Sequence, residues 1–78
     1  MTNLQKYENA FVESFAVEPG ELNELEYQSI DAWDSAGHMF LVNELEEAFD
    51  IMMDTDDIID FSSFEKGKEI LKKYDVEL

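Results

Sequence analysis

Few side chains in this sequence are able to do chemistry. His38 is the single histidine, and it follows Ser35 by three positions with Asp34 directly before that serine. A Ser-His-Asp hydrolytic site would need His38 as its base. On a helical wheel, however, His38 falls on the apolar side, where a packed histidine is expected rather than a general base. There is no cysteine, so no thiolate nucleophile, disulfide framework or thiolate metal site is available. Neither a glycine-rich phosphate loop nor a His-Glu-x-x-His metal signature is present. Residues 54–65 imitate a calcium loop through Asp54, Asp56, Asp60 and Glu65, but Ile58 takes a ligand position and Ile59 replaces the required glycine. That apolar pair predicts an inward-packing helix. Ser35 remains. At a helix start it could serve only as an N-cap, or it could present its hydroxyl where backbone N–H groups and the helix dipole favour a phosphate ester.

The elements that would carry these residues are helical. Leu4, Tyr7, Phe11 and Phe15 recur at spacings of three and four, which predicts a helix over 3–15. Glu18-Pro19-Gly20 breaks it, because proline cannot continue the hydrogen-bond ladder. Residues 16–34 then read as a long loop, with Leu22, Leu25, Tyr27, Ile30 and Trp33 as anchors that could fold it over a core. From Ser35 to Asp50 the helical period returns. His38, Leu41, Val42, Leu45, Ala48 and Phe49 lie within about 120° of one another on the wheel. Ala36, Met39, Phe40, Asn43, Glu44 and Glu47 occupy the opposite face. A short helix is predicted over 55–60, with Asp56 and Asp57 in its first turn and Ile58 and Ile59 inward. A last helix runs from about Ser63 to Tyr74, with Phe64, Gly67, Leu71 and Tyr74 as its stripe. Strand alternation is absent. The reading is all-α: a small four-helix bundle of three main helices and a short one, with a long loop between the first two.

Seventy-eight residues suit one domain spanning 1–78, and 45% apolar types allow a core. The formal net charge is −15, and between Lys6 and Lys66 there are 17 acids and no base. Such a surface repels nucleic acid and anionic lipid, and it steers the chain toward basic partners. No apolar run exceeds four residues, and the first residues lack a signal-peptide pattern. A cytoplasmic monomer that binds neither nucleic acid nor membrane is expected. Charge and helix count alone also permit an acidic helical protein that binds a basic partner directly, such as an immunity-type inhibitor or a nucleic-acid mimic.

The segment around Ser35 narrows this. Asp34-Ser35, followed by Leu41-Val42, Leu45-Glu46-Glu47 and Phe49-Asp50-Ile51, resembles the phosphopantetheine attachment motif of acyl and peptidyl carrier proteins. The resemblance extends over nearly the whole chain: a matching first helix, a long loop, a short helix after Ile51 and a final helix entered through Ser62-Ser63-Phe64. It implies that Ser35 is esterified by 4′-phosphopantetheine from coenzyme A, through a separate phosphopantetheinyl transferase that Asp34 assists. It further implies that the chain is not an enzyme and presents acyl thioesters to loading and transferring enzymes with basic docking patches. The face bearing Ala36, Met39, Phe40, Asn43, Glu44 and Glu47 would meet those enzymes. Where leucine usually follows the serine, this chain has Ala36-Gly37-His38, similar to the Trp-Asp-Ser-x-Gly-His variant of carriers in specialised biosynthetic pathways. Phe40 stands where the family usually has glutamate. It could be a docking residue or could fold back against Trp33 or Tyr27.

Overall fold

Three of the four α-helices begin where a polar side chain accepts a backbone N–H that the helix itself leaves free. A computed structural model describes all 78 residues. α1 (Asn3–Phe15) opens with a capping box: the Gln5 N–H donates to Thr2 Oγ1 at 3.1 Å, and the Thr2 N–H donates to Gln5 Oε1 at 2.8 Å. α2 (Ser35–Phe49) opens on Asp34, whose Oδ1 accepts the Gly37 N–H at 2.8 Å. α3 (Thr55–Asp60) carries Asp56 and Asp57 in its first turn, and α4 (Phe64–Lys72) opens on Ser63, whose Oγ accepts the Lys66 N–H at 2.9 Å. Both α1 and α2 stop on a residue in the left-handed region, Ala16 (φ 54°) and Asp50 (φ 53°).

The chain is an all-α bundle with no β-strand, as its periodicity predicts. Within the segment read as loop, Pro19–Glu24 forms a 3-10 helix. Proline at its first position needs no N–H partner; α1 has already stopped at Ala16, so Pro19 starts the next turn rather than breaking α1. The rest of the loop is tied down. The Tyr27 N–H donates to the Ser62 carbonyl at 2.8 Å, and the Phe64 N–H donates to the Leu25 carbonyl at 3.0 Å, which hold it against the α3–α4 connection.

Sixteen buried apolar residues form one core. Phe11 lies at its centre, with the rings of Tyr7, Phe15, Trp33 and Phe64 at 5.1, 6.0, 5.6 and 5.0 Å, all four edge-on to it. Buried Tyr7 donates its hydroxyl to the Phe64 carbonyl at 2.5 Å, and burial first, with Glu65 second, pushes its ionisation far above the ordinary phenol range. Leu22, Leu25 and Trp33 are the loop anchors that reach the core, whereas Ile30 is half-buried and Tyr27 stays at the surface. Leu4 is also exposed, and Ala10 is buried beside the expected Tyr7, Phe11 and Phe15. On α4, Ile70 is buried beside the expected Phe64, Gly67 and Leu71.

α3 departs from its expected orientation. Ile59 is 76% exposed, Ile58 is half-buried, and Asp57 is the residue turned in. The cause is a polar clasp to the end of α4: Lys73 Nζ donates to Asp57 Oδ1 at 2.8 Å, and the Tyr74 hydroxyl donates to Oδ2 at 2.5 Å. Tyr74 in turn accepts the Asp54 N–H at 2.9 Å. The hydrogen bond from Lys73, then that from Tyr74, holds the Asp57 carboxyl below the usual carboxylate range. A folded-state value below the unfolded one adds stability above the unfolded value, and that gain is lost as pH falls through the folded one. Asp57→Asn should therefore lower the melting temperature at neutral pH, and the gap should close only below about pH 4. Circular-dichroism melts across acid pH read this directly; a gap that is constant with pH would mean that the charge on Asp57 is not what the clasp holds.

Candidate functional site

Ser35 is the first residue of α2 and is exposed. The N–H groups of the first helical turn have no carbonyl within the helix to receive them. Asp34 occupies the Gly37 N–H and the Asp34 carbonyl accepts that of His38 at 2.8 Å, which leaves the positions nearest Ser35 open toward solvent. The Ser35 hydroxyl lies 3.1 Å from the hydroxyl of Tyr27, a residue brought alongside by the loop. A groove of about 380 Å³ begins there and runs between α2 and α3, walled by Tyr27, His38, Met39, Ile58, Ile59 and Phe61.

His38 is fully committed. Its Nδ1 receives the Trp33 indole N–H at 2.9 Å, and an indole can only donate. The proton must then sit on Nε2, which donates to the Ile58 carbonyl at 2.7 Å. The ring lies nearly coplanar with the Trp33 indole, at 16°, as a hydrogen bond in the ring plane requires, and it meets the Tyr27 ring edge-on at 5.3 Å. A neutral imidazole with both nitrogens engaged is a brace between the loop, α2 and α3, and it has no lone pair to offer Ser35. Gly37 completes the brace. A Cβ there would overlap the Ala32 carbonyl oxygen and press on the Phe15 ring at 3.3 Å, so only glycine lets the loop lie this close to α2. Trp33, Asp34, Gly37 and His38 thus have one shared effect: they lock the chain on either side of Ser35 while its hydroxyl stays free of the brace.

On the outer face of α2, Ala36, Met39, Phe40, Asn43 and Glu47 are exposed and Glu44 is half-buried. Phe40 is 52% exposed and makes no ring contact with Trp33 or Tyr27, whose partner is His38 instead. Across the groove, exposed Ile59 faces the same opening as Met39 and extends this apolar surface onto α3. The stretch that imitates a calcium loop is helical from Thr55 to Asp60, and no group of three or more histidine or acidic side chains comes together there to hold a metal ion. No helix is long and apolar enough to cross a membrane.

Two features of the site escape sequence reasoning. Tyr27 lies eight residues before Ser35 in an irregular segment, where no periodicity announces a contact. Ile59 reads as a core residue by its type, and only the Asp57 clasp turns it outward. Comparison with protein-family models, curated proteins and solved structures finds no match to this chain.

Proposed function

We propose that this chain is an acyl carrier domain, bearing 4′-phosphopantetheine on Ser35. The observation that supports it most is the exposed serine hydroxyl at the head of α2, next to the Asp34 cap, on a chain braced around it but not through it. The site suits such a group. An ester phosphate on Ser35 would meet free backbone N–H groups and the positive end of a 15-residue helix. In the modification, Ser35 Oγ bonds to phosphorus, its proton passes to the transferase, and the nucleotide portion of coenzyme A leaves. Asp34 keeps Oδ1 on the Gly37 N–H, and as an exposed carboxylate it is available to the transferase and its magnesium. When attached, the group supplies a thiol on which acyl intermediates travel as thioesters; the chain itself, which has no cysteine, supplies none.

The experiment that tests the site is peptide mapping by mass spectrometry after incubation with coenzyme A, magnesium and a broad-specificity transferase. The phosphopantetheine should map to Ser35, and Ser35→Ala should gain none. Modification of that variant at Ser29, Ser62 or Ser63 would overturn the assignment.

The outer face of α2 is the proposed docking surface for loading enzymes. Phe40 and Met39 offer an apolar centre, and Glu44 and Glu47 steer toward a basic rim. Because Phe40 is exposed and unstacked, Phe40→Glu should change stability by no more than about 0.5 kcal/mol while lowering kcat/KM for acylation by the cognate enzyme about tenfold. Thermal melts and loading kinetics separate the two effects. A variant that melts while loading at the normal rate in its folded fraction would place Phe40 in the core and remove it from docking.

A further inference from the structure

We propose that Tyr27 is a positioning residue for the Ser35 phosphate, donating its phenol proton to a phosphoryl oxygen and so fixing the side on which the arm leaves the helix. This rests on the carrier reading and assigns a role to a residue outside the attachment motif. The Tyr27 hydroxyl is 3.1 Å from Ser35 Oγ, the atom that would carry phosphorus. Its placement is built from several directions. The backbone N–H is tied to the Ser62 carbonyl, and the following residue, Gln28, adopts a left-handed φ of 66° that brings its N–H to the Trp33 carbonyl at 2.9 Å. The ring is set edge-on against both His38 and Trp33.

Burial does not demand this hydrogen bond. Tyr27 is 37% exposed, so water could satisfy its hydroxyl at no cost in stability. Esterification changes what the hydroxyl can do. Ser35 loses its proton and can no longer donate, so any hydrogen bond between the two residues must come from Tyr27. The phosphoryl oxygens carry the negative charge and are stronger acceptors than the bridging ester oxygen. The phenol is the side-chain donor already within hydrogen-bond reach of Ser35 to take that charge. Tyr27 is also a wall of the groove shared with Met39 and Ile59. A phosphate held by Tyr27 therefore starts the arm on the groove side, and not over the acidic outer face of α2.

The test compares phosphopantetheinylated wild type with phosphopantetheinylated Tyr27→Phe, which keeps the ring and its contacts with His38 and Trp33. Intact mass first establishes that each carries the arm; wild type that gains none removes both this proposal and the carrier reading. With the arm attached, the 31P resonance of folded wild type should be displaced from its position in urea, and Tyr27→Phe should lose most of that displacement while its α2 amide spectrum is unchanged. Coincident 31P positions in the two folded proteins would overturn the role of Tyr27 and leave attachment at Ser35 untouched.

Discussion

Trp33→Ala should destabilise the domain by about 4 kcal/mol. The indole is fully buried, stacks on Phe15 at 5.2 Å, meets Phe11 edge-on and donates to His38 Nδ1. Truncation removes all three contacts at once and leaves a cavity in a core of only sixteen residues. A domain of this length has a total stability of about 4–12 kcal/mol, so the loss takes from about a third to all of it. Trp33 is the only tryptophan, so urea titration followed by circular dichroism is the measurement. Trp33→Phe restores most of the packing but leaves His38 Nδ1 without its donor, and should cost about 1–3 kcal/mol. A loss below about 1 kcal/mol for the alanine variant would mean that the loop is not anchored through Trp33.

Gly37→Ala should also destabilise, against the usual sign for such a change. In an unobstructed helix interior, alanine in place of glycine gains about 1 kcal/mol. Here the new methyl group would overlap the Ala32 carbonyl oxygen, which is backbone and cannot rotate away alone. Overpacking of this kind costs about 1–3 kcal/mol and occasionally more. Relief would require moving the segment that carries Trp33 and Asp34, so the cost should fall at the upper end, with a net loss of about 2 kcal/mol. The same urea titration measures it. A stabilised variant would show that the loop does not lie against α2 at this point.

Much of the fold is legible in the sequence because periodicity records burial. The stripes of α1 and α2 are visible as apolar spacing, and Ser63 caps α4 as its type suggests, whereas Asp34 caps α2 and Ser35 is its first helical residue. What periodicity misrepresents is any position where a polar contact outweighs residue type. Ile59 reads as core and is exposed, and Asp57 reads as a solvated first-turn acid and is buried, because Lys73 and Tyr74 lie beyond the reach of a local pattern. Leu4 is apolar and on the stripe, yet it lies at the helix end where the core has run out.

The candidate site divides in the same way. Ser35 at a helix start and His38 on the inner face follow from local sequence. The bonds that explain them do not. His38 joins Trp33 to Ile58 across three elements, Gly37 is required by Ala32 on the facing loop, and Tyr27 reaches Ser35 through a turn at Gln28. Each is a pairing between an irregular segment and a helix, for which spacing carries no signal.

The proposed function makes Ser35 a modification site. Its most direct measurement is the intact mass of the wild-type chain co-expressed with a phosphopantetheinyl transferase. A single added phosphopantetheine is expected, removed by Ser35→Ala. An unmodified wild-type chain, folded and under conditions in which the same transferase modifies a control carrier, would contradict it and favour an acidic helical protein that binds its basic partner directly.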